Sequence, residues 1–193
     1  MGKKRKWNKF FHLIISPKVK IYIMEKWIKY IKDRKLIAID PGKAGGIAVF
    51  SVDSKELIEV IPMPETPQMI LNFFKRYQNN SRCYLEKVGG IPGQGGASSM
   101  FNFGKGFGWL EMALISCRIP TTEVTPQKWQ KELQLGSKGK KSTTEWKAKL
   151  MQRAQQLWPS AERQFNFKYK KDWLAVSDAL LILEYSRLTE KAV

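Results

Sequence analysis

The stretch LIAIDPG, residues 36–42, decides the fold prediction for this chain of 193 residues. Its four apolar residues predict a short buried strand, and Pro41 and Gly42 predict the turn that ends it. Asp40 lies between strand and turn. An aspartate before Pro-Gly is, taken alone, more often a turn residue than a functional group. The alternative is that Asp40 meets other carboxylates at the edge of a sheet.

Apolar runs separated by turn residues predict four further strands: GGIAVFSV (45–52), ELIEVIPM (56–63), RCYLEKV (82–88) and TTEV (121–124). Apolar residues at helical spacing predict helices over residues 66–78, 97–118, 125–135, 142–158 and 172–188. The first three strands follow one another at hairpin distances, which predicts an antiparallel meander. The whole order predicts an α/β fold, a mixed five-stranded sheet flanked by helices.

The formal net charge of +17 is the second strong feature of the sequence. Residues 1–35 contain twelve Lys or Arg and two acids, a net charge of +10, which leaves +7 for residues 36–193. We therefore expect a basic N-terminal extension over residues 1–35 and a globular domain over residues 36–193. Positive charge in both parts favours an anionic partner, nucleic acid before acidic lipid. The extension alone fits a solvated tail as well as a DNA-binding arm or a membrane-surface helix.

The cysteines and the hydropathy of the chain predict where in the cell the protein is found. Cys83 and Cys117 have no metal-ligand spacing and form no disulfide framework, so we expect a reduced, intracellular setting. No apolar run approaches the roughly 20 residues of a membrane span, and we expect no stable membrane association. His12 is the single histidine and lies in the extension. A histidine general base is therefore not expected.

Three further carboxylates are placed where they could meet Asp40. Glu86 ends the predicted fourth strand, and Asp172 and Asp178 belong to the last predicted helix. If the first and fourth strands are neighbours, Asp40 and Glu86 lie side by side. Like charges buried together need cations, and hard divalent cations prefer carboxylate oxygen. Glu86 alone could equally pair with a lysine, and Asp172 could simply cap its helix, because six residues separate it from Asp178 and put the two on different faces.

Five segments resemble the RuvC-type Holliday junction resolvases, in particular the phage and chloroplast branch: IDPGKAGGIAVF (39–50), YLEKV (84–88), SSMFNFGKGFGWLEMAL (98–114), TPQKWQKELQL (125–135) and SDALLI (177–182). The resemblance covers about residues 36–188. It implies a ribonuclease H-like fold, a homodimer, and Mg²⁺ or Mn²⁺ with two ions in each active site. It also implies paired nicks in four-way DNA junctions, in a bacterium, a phage-infected cell or an organelle.

The resemblance also implies which residues are catalytic and bind metal. By position, Asp40 matches the acid of the first strand, Glu86 the acid of the fourth strand, and Asp178 the acid of the last-helix motif. The family's fourth acid usually lies a few residues before that last one. Residues 174–177 are Leu-Ala-Val-Ser, so Asp172 is the candidate that remains.

Some residues predicted to contact DNA depart from the family pattern. The bacterial branch has an aromatic residue three positions after the glutamate, used to open base pairs, and this chain has Gly89 there. Phe101 or Phe103 would have to supply such a wedge. Gly104 and Gly108 are four residues apart on the same predicted helix, where they would allow close approach either of a second protomer or of the sheet.

Lysines are the candidates for phosphate contacts. The family tends to have a lysine where this chain has Gln130, and Lys131 follows it. Lys138, Lys140 and Lys141 lie in the predicted loop before the next helix. Flexible lysines on a loop can reach phosphates, although a solvated run of charge is the alternative.

Two other classes of protein remain possible from the sequence. The segment DPGKAGGIAVF also fits the phosphate-binding hairpin of actin-like ATPases and sugar kinases, which need a second phosphate loop and usually about twice this length. A non-catalytic DNA-binding protein on the same fold is the other class. The presence of all four acids argues against it.

Overall fold

The computed structural model describes residues 22, 24, 25, 33–87, 96–167 and 169–191. The chain forms two compact units, residues 1–33 and 34–193. Apart from four residues of the first unit (Tyr22, Met24, Glu25 and Asp33), the expected N-terminal extension up to residue 33 lies outside the described residues. Among the helices described, none is both long and apolar enough to cross a membrane.

The second unit is built on a five-stranded sheet. Its strands are β1 (Lys35–Asp40), β2 (Gly46–Ser51), β3 (Glu56–Pro62), β4 (Ser81–Glu86) and β5 (Thr121–Val124). They lie in the order β3-β2-β1-β4-β5. The pairs β1–β2 and β2–β3 are antiparallel, whereas β4 runs parallel to both β1 and β5. The predicted meander and the predicted mixed sheet are confirmed.

Helices cover this sheet. They are α1 (Pro67–Lys75), α2 (Ala97–Ser116), α3 (Pro126–Glu132), α4 (Thr143–Leu157), α5 (Ala161–Phe165) and α6 (Lys170–Lys191). The short helix α5 has no counterpart in the prediction. Helix α6 begins two residues earlier than predicted, which places Asp172 inside its first turn.

The sheet has an apolar cluster on each face. Side chains alternate along β1, so Leu36 and Ala38 pack in a cluster with residues of α3, α4 and α6. Ile37 and Ile39 pack in the other cluster, with residues of α1 and α2. Because β1 is buried on both faces, its sequence is a continuous apolar run rather than an alternating one.

Glycines hold the end of β1 against its neighbours. Gly42 has a φ of +111°, a conformation that other residues seldom adopt. A Cβ atom on Gly45 would lie 2.1 Å from the carbonyl oxygen of Asp40, and one on Gly46 would lie 2.7 Å from that of Ala175. The turn therefore folds tightly against Asp40, and α6 packs directly on the start of β2. These close approaches fix Asp40 relative to α6.

Candidate active site

Two strand ends bring the first two carboxylates together. In the parallel pair β1–β4, Ile39 is opposite Leu85, so the next residues, Asp40 and Glu86, end at the same level. Their side chains are hydrogen-bonded, and this bond raises the pKa of Asp40 while it lowers that of Glu86. The Asp40 carboxyl therefore donates the shared proton. Ligands of α/β proteins commonly bind at this carboxyl end of parallel strands.

Helix α6 supplies the third carboxylate. Asp178 is buried, with 6 % of its surface exposed, in the part of α6 that follows the close contact between Ala175 and Gly46. Its charge acts on both Asp40 and Glu86. The structure thus brings together three of the four acids that the sequence singled out.

Crowding and burial shift the protonation of this cluster. Burial raises the pKa of Asp40 well above its usual range, and the charges of Asp178 and Glu86 raise it further. Burial also raises the pKa of Glu86, against the opposing effect of the Trp129 hydrogen bond. Three carboxylates in one buried place repel one another, which is the pattern expected where a cation is to be bound.

Two residues that were not predicted as site residues contact the carboxylates. Trp129 of α3 donates from its indole Nε1–H to Glu86 Oε1 at 2.9 Å. Lys147 of α4 donates from its ammonium to Asp178 Oδ2. Burial works to lower the pKa of Lys147, but the charges of Asp178, Asp40 and Glu86 outweigh it and raise the value. The sequence signal for Lys147 was its position beside Trp146 and one turn before Leu150, at the edge of the buried face of α4.

The chemistry of these donors suits a divalent cation, although the side chains are not grouped around a metal position. Asp178 Oδ1 is buried without a hydrogen-bond partner, and the remaining donors are carboxylate oxygens, the ligands that Mg²⁺ and Mn²⁺ prefer. However, within the described residues no three His, Cys, Asp or Glu side chains are arranged as a group that could hold a metal ion. The Lys147 ammonium lies among these carboxylates and donates to Asp178 Oδ2.

Asp172 does not join the other three acids. Its carboxylate Oδ2 accepts the backbone N–H of Tyr169 at 2.9 Å, an interaction that stabilises the first turn of α6. Six residues of helix separate it from Asp178, a rise of about 9 Å on a different face. The expected fourth ligand is therefore a helix-capping residue here, because α6 starts before Asp172 rather than after it.

The two predicted wedge residues lie on the first turns of α2. Phe103 is half-buried, stacks on Phe107 and borders the turn after Asp40, since a Cβ on Gly42 would lie 3.3 Å from the Phe103 ring. Phe101 is 70 % exposed. The position that the bacterial branch fills with an aromatic residue, Gly89, lies outside the described residues.

The predicted phosphate-binding lysines are all exposed. Lys138, Lys140 and Lys141 lie in the segment between α3 and α4, where Lys138 donates to Thr143 Oγ1 at 2.8 Å. Lys141 directly precedes Ser142, the N-cap of the helix that carries Lys147. Lys131 follows Trp129 by two residues, which is a rotation of about 200° around α3. It therefore lies on the opposite side of the helix from Trp129, which faces Glu86.

One face of α2 is apolar and exposed. Phe101, Gly104, Gly108, Met112 and Ile115 follow helical spacing along it. Met112 is 60 % exposed and Ile115 is 67 % exposed. A Cβ atom on either glycine would meet nothing within 4 Å, so these glycines do not serve packing against the sheet.

No family model matches the sequence, and no curated protein is similar to it. Among the solved structures that share the fold of this chain are two of RuvC. One is the RuvC protein of Thermus thermophilus in complex with a Holliday junction substrate, with a TM-score of 0.55 and 14 % identity. The other is Thermus thermophilus RuvC, with a TM-score of 0.52 and 16 % identity. Each comparison covers 82 % of this chain and 96 % of the other. The predicted ribonuclease H-like fold is confirmed.

Proposed function

We propose that this protein is an intracellular, divalent-metal-dependent endonuclease that resolves four-way DNA junctions by paired nicks. One observation carries the proposal. Asp40, Glu86 and Asp178 come together at the carboxyl end of β1 and β4, on a fold shared with a protein whose structure contains a Holliday junction. The sequence motifs favour membership of the phage and chloroplast branch of the RuvC-type resolvases.

Each carboxylate has a role that follows from its surroundings. Asp40 and Glu86 share a proton that a bound cation would replace, and Asp178 offers the unpartnered Oδ1. These three side chains would hold Mg²⁺ or Mn²⁺. When bound, the cation supplies charge neutralisation and Lewis-acid polarisation at the scissile phosphate. Trp129 fixes the orientation of Glu86 by donating to its Oε1.

The surroundings of the site fit a large anionic substrate. Lys138, Lys140 and Lys141 are exposed next to the helix that carries Lys147, where they can neutralise phosphates of the DNA arms. Phe101 is exposed at the start of α2 and is our candidate for the aromatic wedge, with Phe103 lining the turn after Asp40.

Paired nicks need two active sites related by two-fold symmetry. We place the contact between two protomers on the part of the apolar face of α2 that follows Phe101, the residues Gly104, Gly108, Met112 and Ile115. Closed two-fold dimers are the commonest oligomers, and an exposed apolar stripe of this kind marks an interaction site.

The test is incubation with a synthetic four-way junction, a linear duplex and a fork, with and without Mg²⁺ or Mn²⁺. We expect nicking of the junction, dependent on the cation. Asp40→Asn and Glu86→Gln should each lower the nicking rate at least about a hundredfold and leave junction binding unchanged or tighter, since these groups hold metal rather than phosphate. Glu65→Gln, which alters an exposed acid at the start of α1, is the matched control.

The outcomes separate the possible classes of protein. Cleavage retained in both acid variants would refute the assignment of the active site. Junction binding that survives chelation, with no nicking under either cation, would identify a non-catalytic DNA-binding protein. ATP hydrolysis without DNA cleavage would favour the phosphate-binding ATPases.

A further inference from the structure

Lys147 supplies a positive charge to the carboxylate cluster formed by Asp40, Glu86 and Asp178. Its ammonium donates to Asp178 Oδ2, and its charge interacts with Asp40 and Glu86 as well. Helix α4 holds it there, because Trp146 and Leu150 on either side of it are buried in the core. The Lys147 side chain is nevertheless 42 % exposed, so the residue borders solvent, where a phosphate would enter.

Several oxygen atoms of the cluster already have partners. Asp178 Oδ2 accepts from Lys147, and Glu86 Oε1 accepts from Trp129. Glu86 also accepts the proton of Asp40. Of the six carboxylate oxygens, two accept from nitrogen donors, and four are left for metal ions once the Asp40–Glu86 hydrogen bond is broken, among them the unpartnered Asp178 Oδ1. Two ions would have to share these four oxygens.

The sum of the charges in the cluster also favours one metal ion over two. Three ionised carboxylates carry a charge of −3, and the Lys147 ammonium adds +1. In the protein without DNA, one divalent cation brings the sum to zero, whereas two leave the cluster at +2 until a scissile phosphate adds its negative charge. An uncompensated buried charge is strongly unfavourable. The fourth acid that would balance a second ion is absent from the cluster, because Asp172 caps α6.

We propose that Lys147 takes the place of one of two cations, so that the centre holds a single divalent ion beside a fixed ammonium. This inference rests on the proposed function and replaces the expectation of two ions. Lys147 acts as a positioning residue: it holds Asp178 and supplies positive charge at the position where a scissile phosphate would become more negative during cleavage.

The first experiment counts ions on the full-length protein without DNA. We expect Mn²⁺ titration, followed by calorimetry and electron paramagnetic resonance, to give one ion per protomer in the wild type and none in Asp40→Asn combined with Glu86→Gln. Lys147→Glu adds a fourth carboxylate and should give two ions. Two ions in the wild type would overturn the inference and leave the proposed nuclease intact. No ion in the wild type would overturn both.

The second experiment covers the case in which Lys147→Glu does not fold. Lys147→Met keeps the length of the stem and removes the charge. We expect it to melt at a lower temperature than the wild type without metal, because Asp178 loses its partner, and to bind Mn²⁺ about tenfold tighter, because the repulsion between ammonium and cation is gone. Its melting temperature should therefore rise more on adding Mn²⁺.

The control for that measurement is Lys149→Met. Lys149 lies on the same helix and donates to the Leu135 carbonyl oxygen at 2.6 Å, away from the carboxylates. We expect it to lower the melting temperature with an unchanged Mn²⁺ affinity. If Lys147→Met behaves in the same way, Lys147 is only a structural ion pair and the inference is wrong.

Discussion

At the scale of single residues, Asp40 is the residue whose proposed role in metal binding most opposes the stability of the fold. It lies at the end of an otherwise apolar strand, next to two other carboxylates, and burial raises its pKa well above the usual range. Residues that bind ligands are often held in such unfavourable surroundings, and replacing them commonly stabilises the fold. Gly45 and Gly42 keep the turn close to Asp40, so it cannot move away from the cluster without distorting the backbone.

We expect Asp40→Asn to stabilise the metal-free protein near neutral pH by an amount of the order of 1 kcal/mol, because folding requires Asp40 to take up a proton or to bury a charge, and Asn requires neither. The folded state holds the Asp40 proton to higher pH than the unfolded chain, whose aspartates titrate at about 3.9. The free energy of unfolding of the wild type should thus fall as the pH rises from about 4 through the raised pKa of Asp40.

Chemical denaturation in the presence of a chelator, from pH 4 to pH 8, measures both effects. The Asp40→Asn protein should show a flatter pH profile than the wild type. Identical slopes for the wild type and Asp40→Asn would show that Asp40 does not carry the shared proton.

At the scale of elements, α4 and the segment before it have two roles in the proposed function. The helix begins with a capping box in which Ser142 and Glu145 satisfy each other's backbone donors. This cap fixes where the loop ends and the helix begins. Lys147 then points toward Asp178, while the lysines before Ser142 remain exposed. One element can thereby contribute to metal chemistry through its helix and to affinity through its loop.

Replacing Lys138, Lys140 and Lys141 together with Ala should weaken binding of junction and duplex DNA alike, because lysines that neutralise phosphates read no base sequence. The slope of log affinity against log salt should fall by about 0.9 for each phosphate that the variant no longer neutralises. Fluorescence anisotropy over a range of salt concentrations measures it, and Lys55→Ala with Lys75→Ala is the control for removal of exposed charge elsewhere. An unchanged slope would identify the loop lysines as solvated charge alone.

At the scale of the whole molecule, the exposed apolar face of α2 predicts that two copies of the chain form a dimer. Met112 and Ile115 are more than half exposed, so changing them does not disturb the core. We expect Met112→Lys with Ile115→Asp to raise the dissociation constant of the dimer at least about thirtyfold, the effect typical of truncating a central interface residue, and to convert paired nicks into single ones. Sedimentation velocity at micromolar concentration measures the dimer.

Met69→Lys changes an exposed methionine on α1 and should leave the dimer intact. A wild-type monomer with full resolving activity would contradict the proposed symmetry.

The sequence predicted the sheet, and it placed Asp40 and Glu86 at neighbouring strand ends, because both follow from local patterns. Apolar runs that end in Asp40 and Glu86 determine the strand ends, and parallel pairing of β1 with β4 then aligns them. The position of Lys147 at the edge of a buried helix face could be read from the sequence, but its partner could not, since that depends on how α4 packs against α6. Asp172 was misplaced for a related reason: Lys170 and Lys171 extend the helix beyond its apolar pattern.

The close contact between Gly46 and Ala175 has a consequence for biosynthesis. It is the point at which the last described helix docks on a sheet whose strands are all made earlier, and Asp178 follows it by three residues. During synthesis, Asp40 and Glu86 can already be paired in the nascent chain while α6 is still inside the ribosome. A nascent or truncated chain that lacks α6 has two carboxylates and no ion pair for Lys147. A newly made chain therefore gains the third carboxylate of the site only once α6 has left the ribosome and docked on the sheet.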